Sequence, residues 1–319
     1  MYKDKVIGVV VPAYNEEKLI GQVIETMPEF VDHIIVVDDC SQDKTIGVVN
    51  SYFPEMEDRL HLIQHESNQG VGGAIANGYF WCRDNEIDIT AVMAGDAQMS
   101  PDDLTRLLDP IVADKVDYSK GNRLFTGDAW NQIPKVRYLG NSAMSFLTKI
   151  ASGYWHVADS QSGYTAINLK ALKVIDWDQM YKRYGQPNDL LVRLNVYSFR
   201  VQDVPIAPIY NIGEKSGIRP LRMIPKLSWL LFRLFIYRLW NKYVIRDFHP
   251  LVLFYLFALF LLSASIPLWI RVFYLWLVLG QKIPSINALA GMSSVIAGLQ
   301  SLFFAMWFDM EYNRGLKDH

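Results

Sequence analysis

The sequence predicts an α/β fold with a mostly parallel sheet, followed by helices that associate with a membrane. Short β-branched runs alternate with segments of helical periodicity through roughly the first two-thirds of the chain, which is the pattern of β-α-β units. Acidic residues follow the ends of several of these runs. Two long apolar segments without a charged residue lie near the C-terminus, and each is long enough to cross a bilayer.

Continuous apolar runs are typical of parallel strands that are buried on both faces. They predict strands at residues 6–11, 33–37, 60–64 and 90–94, with a further strand and loop over 118–123 and a last strand near 204–206. Apolar residues at helical spacing predict helices at 17–27, from about 45, from 70–73 to about 85, and over 134–152. Ser100 followed by Pro101 predicts another helix start, with the serine as its cap.

The turns between these elements exclude two common nucleotide sites. A dinucleotide-binding turn would place a GxGxxG loop after the first strand, but the residues there are Pro12 to Glu16. No Walker A sequence occurs either. The glycines at 70, 72 and 73 are interpreted as a close-packed helix start. A hydride-transfer enzyme and a P-loop ATPase therefore both lose support.

Acidic residues instead follow three predicted strands. Glu16 follows the first strand, Asp38 and Asp39 follow the second, and Asp96 follows the fourth. The carboxyl ends of parallel strands share one edge of a sheet, so these carboxylates would repel each other unless a cation or hydrogen-bond donors offset them. We expect a nucleotide and a divalent cation, Mg²⁺ or Mn²⁺, at this edge. The alternative is that Asp96 and Gln98 are turn residues that cap the next helix.

At this point the motifs at 11–16 (VPAYNE), 37–43 (VDDCSQD) and 95–98 (GDAQ) resemble the family-2 glycosyltransferases of GT-A fold. The chain is most similar to the polyprenyl-phosphate type, the dolichyl-phosphate mannose or glucose synthases. The similarity covers roughly residues 5–220. It implies a nucleotide-sugar donor of the GDP-mannose or UDP-glucose type, a dolichyl or undecaprenyl phosphate acceptor, a divalent metal, and inversion at the anomeric carbon.

The resemblance also implies roles for single residues. The donor-binding residues would be Pro12, Tyr14, Glu16, Val37, Asp39, Gly95, Asp96 and Gln98. Asp96 and Gln98 would hold the metal and the diphosphate. The family often has an acidic residue where this chain has Ala94, so metal binding is expected to be weaker, and a catalytically inactive relative is the alternative.

On the acceptor side, Arg123 matches a family arginine that clamps phosphate, and residues 159–164 (DSQSGY) resemble the family's D-x-x-SGF segment. Asp189 falls where many relatives carry a general base, although it could equally cap a helix. A lipid phosphate is already ionised near neutral pH, so Asp189 would then position groups rather than remove a proton. Lys215 and Arg219 are further candidates for binding the acceptor phosphate.

Near the C-terminus, residues 251–270 and 286–308 carry no charge and predict a two-helix transmembrane hairpin, with a buried hairpin in a soluble protein as the alternative. Eight basic residues lie between 215 and 246 among aromatic residues and leucines, which predicts interfacial helices, either two short ones or a bent one. A partner-binding amphipathic helix is the alternative there. Because few basic residues flank the far turn, the positive-inside rule predicts a cytoplasmic catalytic domain.

The predicted division is a GT-A catalytic domain at 1–213, interfacial helices at 214–249, two transmembrane helices at 250–310 and a cytoplasmic tail at 311–319. A net charge of −2 gives no support for nucleic-acid binding. Cys40 and Cys82 cannot form a disulfide framework, which fits a reducing compartment. A homo-oligomer is also considered, because two-helix anchors often pack against copies of themselves.

The sequence leaves two alternative functions. A polysaccharide synthase would transfer sugar to a glycan hydroxyl, but the Q-x-x-R-W motif that processive synthases usually carry is absent from the sequence. A non-catalytic membrane scaffold that kept the fold has Ala94 as its only support.

Overall fold

A seven-stranded sheet is the centre of the fold in the computed structural model, which describes residues 1–124, 135–207, 209 and 220–317. The strands are β1 (Ile7–Ala13), β2 (His33–Asp38), β3 (Leu60–Gln64), β4 (Ile89–Val92), β5 (Tyr118–Asn122), β6 (Thr165–Asn168) and β7 (Val201–Pro205). Their order in the sheet is β3-β2-β1-β4-β6-β5-β7. The mostly parallel sheet of the predicted fold class is therefore confirmed.

Helices connect most of these strands. They are α1 (Ile20–Glu25), α2 (Thr45–Met56), α3 (Val71–Asp84), α4 (Leu104–Val112), α5 (Lys135–Ser152), α6 (Leu169–Val174), α7 (Gln186–Val196), α8 (Pro220–Trp240), α9 (Leu251–Phe273) and α10 (Ser285–Tyr312). The predicted cap before α4 is present, because Ser100 Oγ accepts a hydrogen bond from the Asp102 N–H at 3.3 Å. Helix α1 is shorter than predicted, since the chain first makes a turn in which the Leu19 and Ile20 N–H groups donate to Glu16 O.

The sheet is covered on both faces, which explains the continuous apolar runs. Alternate side chains of β1 enter different cores: Val9 and Val11 pack in one, and Val10 packs in the other. The core that holds Val10 also contains Tyr79 of α3 and Trp177. The two cores hold the strands rigidly, so the loops at the carboxyl ends of β1, β2 and β4 start from fixed positions.

Strand β6 is the only reversed strand among the seven. It pairs antiparallel with β4, where Val92 is opposite Thr165, and antiparallel with β5, where Lys120 is opposite Thr165. The start of β6 therefore lies beside the carboxyl end of β4. As a result, the segment that leads into β6 reaches the same edge that the parallel strands leave.

Helix α8 is a single continuous helix of 21 residues, where the sequence predicted two short helices or a bend. A π-helical segment, Asn241–Arg246, follows it. On its inner side, Leu227 and Leu231 pack with Met144 and Ala151 of α5. The buried Arg238 guanidinium donates to Ala151 O at 2.8 Å and to Ile150 O at 3.0 Å. The helix continues through Pro225, and these contacts hold it against α5.

Helices α9 and α10 form an antiparallel pair. By length and composition, each is long and apolar enough to span a membrane. Only 17% and 22% of their most apolar stretches is buried, whereas a core helix of a soluble protein is mostly buried. A Cβ at Gly298 would lie 2.8 Å from Leu262, so glycine is what allows the close approach there. Ser301 Oγ donates to Phe254 O across the pair at 2.9 Å.

The described residues form two compact units, Met1–Arg238 with Gly315–His319, and Leu239–Arg314. Within the second unit, a buried polar cluster joins the π-helical segment to the end of α10. Lys242 Nζ donates to Asn313 Oδ1 at 2.7 Å, and Tyr243 OH donates to Asp309 Oδ1 at 2.5 Å. The division at 213, 249 and 310 stays a prediction.

Candidate active site

Three loops meet at the carboxyl edge of the sheet, as the acidic motifs predicted. Strand β1 pairs in parallel with both β2 and β4, and Ala13 is opposite Asp38. The Gly95 N–H donates to Pro12 O at 3.1 Å, which joins the loop after β4 to the end of β1. The loops that carry Glu16, Asp39 and Asp96 are therefore neighbours along one edge.

The backbone of these loops is unusual. Asn15, Cys40 and Ala97 each adopt a left-handed conformation, with φ of 59°, 65° and 55°. Such conformations cost about 1–3 kcal/mol in a non-glycine residue and concentrate where a structure must present groups to a ligand. One residue in each of the three loops is strained, which marks this edge as the candidate site.

Negative charge accumulates between the loops after β1 and β4. Glu16 is half-buried, and burial together with the charges of Asp96 and Asp43 raises its pKa to about 7. A cation near these carboxylates would relieve their repulsion. The edge therefore has the electrostatics of a cation site.

Asp96 and Gln98 form the turn that follows β4. The Gln98 N–H donates to Asp96 Oδ1 at 3.1 Å, and both residues are half-buried. Oxygen donors of this kind suit Mg²⁺ or Mn²⁺, which keep coordination positions for substrate phosphates. Within the described residues, no group of three His, Cys, Asp or Glu side chains forms a ready metal cage. These oxygen donors therefore suit a metal ion that is coordinated partly by the protein and partly by a bound diphosphate.

Asp39 is buried and holds the loop that leads into α3. Its Oδ1 accepts from His65 Nδ1 at 2.8 Å and from the Gln69 N–H at 2.7 Å, and its Oδ2 accepts from the Gly70 N–H at 2.8 Å. On its other nitrogen, His65 Nε2 lies 2.6 Å from Asn77 Nδ2, so the proton belongs on Nδ1. Asp39 is therefore a structural anchor, whatever it contributes to a nucleoside.

The predicted close packing of the glycines before α3 is confirmed. Gly70 has φ of +87°, and a Cβ at Gly72 would lie 2.3 Å from Tyr181 O. The Gly72 and Gly73 N–H groups donate to Lys182 O at 3.0 and 3.2 Å. These contacts seat the start of α3 against the segment before α7.

Arg123 and Asp159, which the sequence predicted on the acceptor side, form a two-point ion pair. Arg123 Nε lies 2.8 Å from Asp159 Oδ2, and Nη2 lies 3.2 Å from Oδ1. The Arg123 side chain is 24% exposed, whereas that of Asp159 is fully buried. Ser160 and Gln161 extend the network, since Gln161 Nε2 donates to Asn188 Oδ1 at 3.0 Å.

Comparison with known proteins identifies the family. The model for glycosyl transferase family 2 matches residues 8–176. The chain belongs to glycosyl transferase family 2. Among curated relatives, a Methanococcus voltae protein named UDP-N-acetylglucosamine–dolichyl-phosphate N-acetylglucosaminyltransferase is 33% identical over 224 residues, covering 65% of this chain and 87% of that protein.

A second relative is the polyprenol monophosphomannose synthase of Mycolicibacterium smegmatis, 29% identical over 203 residues, covering 62% of this chain and 75% of the relative. A solved structure of glucosyl-3-phosphoglycerate synthase from Mycobacterium tuberculosis, in complex with Mn²⁺, UDP and glucosyl-3-phosphoglycerate, matches with a TM-score of 0.53 at 20% identity. It covers 74% of this chain and 80% of that one. At this identity the match shows the fold alone, which is the GT-A type that the motifs predicted.

In this family-2 glycosyltransferase, the predicted donor residues differ in their accessibility. Tyr14 is 47% exposed and is available to stack on a base. Pro12 and Val37 are buried within their strands, so a ligand would meet their backbone rather than their side chains. Gly95 is also buried, and its N–H is used within the protein.

Asp189 lies in the first turn of α7 and is buried. Its Oδ1 accepts from Arg193 Nε at 2.9 Å, and its Oδ2 accepts from the Tyr181 N–H at 2.7 Å. Burial raises the pKa of Asp189, while the Arg193 charge opposes that shift. Gly185, not Asp189, is the N-cap of α7. This geometry favours a positioning role over that of a general base. The other two acceptor candidates, Lys215 and Arg219, lie outside the described residues.

Two residues of this edge were missed from sequence. His65 supports Asp39 from the end of β3, and Lys120 is a fully buried lysine within β5. A lysine within a predicted strand was the signal for Lys120. For His65 the signal was its position directly after a strand, the same signal that had identified Asp96.

Proposed function

We propose that this chain is a membrane-anchored, inverting glycosyltransferase that moves a hexose or N-acetylhexosamine from a nucleotide sugar to a polyprenyl phosphate. Family membership supports sugar transfer. The named relatives include enzymes for dolichyl phosphate and for polyprenol, which supports the lipid acceptor. The printed names include N-acetylglucosamine and mannose, so the donor is defined as a class, with GDP-mannose and UDP-glucose types included.

The observation that carries the proposal is the convergence of Glu16, Asp43 and Asp96 at the strand exits, where the pKa of Glu16 is raised to about 7. Asp96 and Gln98 would hold Mg²⁺ or Mn²⁺ together with the donor diphosphate. The bound metal would offset the charge that develops on the leaving nucleoside diphosphate. Tyr14 would stack on the base, and Asp39 would keep the neighbouring loop in place.

A phosphate acceptor also agrees with the buried state of Asp189. A hydroxyl acceptor needs a base to remove its proton, whereas a lipid phosphate is already an anion. Asp189 is ion-paired with Arg193 and is poorly accessible, so it suits the second case better. Arg123, which reaches the surface, would contact the acceptor phosphate, with Lys215 and Arg219 as further proposed contacts.

The C-terminal segments would attach the protein to the membrane. Helix α8 exposes Trp229, Phe232 and Ile236 on one side, next to the exposed Arg233. Aromatic and basic residues together suit the lipid interface. Helices α9 and α10 would cross the bilayer, and by the positive-inside rule the basic residues before α9 support a catalytic domain on the cytoplasmic side.

The test is radiolabelled transfer by the full-length protein in membranes. UDP-N-acetylglucosamine, UDP-glucose and GDP-mannose are each offered with dolichyl or undecaprenyl phosphate, with and without chelator. We expect lipid-linked product with one donor, loss of product on chelation, and recovery with Mn²⁺ or Mg²⁺. The D96N variant should lose transfer and D102N, an exposed aspartate nearby, should keep it. Transfer that survives both chelation and D96N would refute the metal role, and absence of any lipid product would refute the acceptor.

A further inference from the structure

Lys120 has a fully buried ammonium group. It lies in the middle of β5, has no exposed surface, and donates from Nζ to the carbonyl oxygen of Ser162. Burying a cation is costly unless anions lie close to it. A lysine at this position therefore needs a reason, and packing alone does not provide one.

The charges around Lys120 form a cluster at the end of β5. Asp159, Asp203 and Arg123 all act on its ammonium, the two carboxylates stabilising its charge and the guanidinium opposing it. Asp203 lies on β7, where its Oδ2 accepts from the Ala158 N–H and, at 3.1 Å, from Asn122 Nδ2. The cluster thus holds two cations against two carboxyl groups.

Asp159 is fully buried and is paired directly with Arg123, and it also accepts hydrogen bonds from the N–H groups of Arg123 and Gln161. Lys120 makes no direct ion pair with it, but its Nζ donates to Ser162 O, three residues further along the same segment. Burial raises the pKa of Asp159, but the charge and hydrogen bonds of Arg123, together with the Lys120 charge, hold that pKa below its usual value. Lys120 is therefore a second positive charge in the same buried cluster as Asp159.

This arrangement matters for Arg123, because a buried carboxylate that loses its only counter-ion is strongly destabilising. With Arg123 as the sole partner of Asp159, the arginine could not turn towards another anion without leaving a buried charge unpaired. The Lys120 ammonium removes that obstacle. It stays in the interior and neutralises Asp159 while the partly exposed guanidinium moves.

We propose that Lys120 is a positioning residue that allows Arg123 to exchange Asp159 for the anionic phosphate of the acceptor. The proposal rests on the proposed function, since it concerns the same acceptor site. Lys120 does not touch the substrate. It acts through Asp159 and through Ser162, whose carbonyl it holds at the start of β6, where the Gly121 N–H also donates to Tyr164 O at 2.8 Å.

The ionisation state agrees with this role. Burial lowers the pKa of Lys120 to about 8, with the neighbouring carboxylates limiting the shift. At neutral pH the group is therefore mainly charged. Asp203 shows the opposite response, since burial raises its pKa to about 6, so it is mainly ionised at the same pH.

The test compares K120M with K120R and with K115M, which makes the same change at an exposed lysine. For K120M we expect the KM for the lipid phosphate to rise on the order of tenfold, equivalent to ~1.4 kcal/mol. The Kd for UDP or GDP with Mn²⁺ should stay unchanged. K120R should recover part of the loss, and K115M should behave as the wild type. Equal KM values for the lipid in K120M and wild type would overturn the proposal.

A double variant separates this role from general loss of structure. In K120M/D159N an uncharged amide takes the place of the buried carboxylate. No buried charge is then left unpaired when Arg123 turns away, so the KM for the lipid should return towards the wild-type value. The double variant also tests the role of Lys120 if K120M alone does not fold. A double variant that is folded but as impaired as K120M would contradict the counter-ion role.

Binding of geranyl phosphate, measured by calorimetry, tests the inference without turnover. If the wild type transfers no sugar but binds geranyl phosphate more tightly than K120M does, the proposed function fails and the role of Lys120 stands. If transfer occurs with no difference between the two proteins, the role of Lys120 fails and the proposed function stands. A wild type that does not bind geranyl phosphate also refutes the role of Lys120.

Discussion

Replacing Asp39 with asparagine tests whether this carboxylate anchors the loop before α3. Three donors point at it: His65 Nδ1 and the N–H groups of Gln69 and Gly70, at 2.7–2.8 Å. Asparagine keeps one acceptor oxygen and puts an NH₂ group where the second was. If the oxygen stays with His65 and Gln69, the Gly70 N–H faces another donor.

The expected cost follows from that geometry. One buried donor left unsatisfied costs about 1–3 kcal/mol, and the other two bonds lose their assistance from the charge. We expect D39N to lose about 2–4 kcal/mol in the free energy of unfolding, which lowers the midpoint by roughly 5–15 °C for a domain of this size. The matched control is D58N, at an exposed aspartate.

The assay is thermal unfolding of the full-length protein in detergent, followed by tryptophan fluorescence, without and with UDP or GDP. The structural role predicts that D39N is destabilised before any nucleotide is added. If D39N melts with the wild type and differs only in nucleotide binding, the carboxylate acts as a nucleoside contact alone, and the reasoning from its internal donors is wrong.

Three other predictions concern stability. The folded state keeps the proton of Glu16 up to pH about 7, whereas the unfolded chain releases it near 4.5. The stability linked to this proton is therefore complete below pH 4.5 and is lost as the pH rises through 7. Thermal unfolding from pH 4 to 8 should show that E16Q reduces this loss of stability by about 1 kcal/mol after solvent screening. G72A should lower the free energy of unfolding by about 1–3 kcal/mol or more, because its Cβ would lie 2.3 Å from Tyr181 O. The control is G47A, whose Cβ would have nothing within 4 Å and which should raise the free energy of unfolding by about 0.5–1 kcal/mol in the same denaturant titration. R238M should cost about 2–4 kcal/mol and make the C-terminal end of α5 more sensitive to limited proteolysis, because two buried carbonyls lose their donor; equal cleavage of wild type and variant would contradict this.

Strand positions were predictable because burial on both faces leaves a continuous apolar run. Strand β3 begins and ends at the predicted residues, and β1 and β2 differ only at their ends. Strand β6 has only two apolar residues between Thr165 and Asn168 and so gives no such run, and its reversed direction follows from pairing with β4 and β5 rather than from its own sequence. The prediction of two short helices for α8 was wrong for a similar reason, since packing on α5 holds the continuous helix in place.

The candidate site was partly predictable. Glu16 and Asp96 could be brought together from sequence because parallel strands share an exit edge. The partners of Asp39 could not, since His65 is 26 residues away and its ring orientation depends on Asn77. The ion pair of Asp189 was visible in principle, because Arg193 follows four residues later on the same helix.

The reversed direction of β6 has a consequence for how this enzyme class can be altered. The half of the sheet that carries the proposed donor residues, β1 to β4, meets the half near Arg123, Asp159 and Lys120 along the pairing of β4 with β6. Four register pairs join them, from Ile89 opposite Asn168 to Val92 opposite Thr165. A chimaera that keeps residues on the β4 side and imports a relative's β5-to-β7 segment would need to match that seam, the core that Tyr79 shares with Trp177, and the contact of Gly72 with Lys182 O. With these contacts kept, the proposed site assignment predicts that strand exchange changes acceptor preference without changing nucleotide preference.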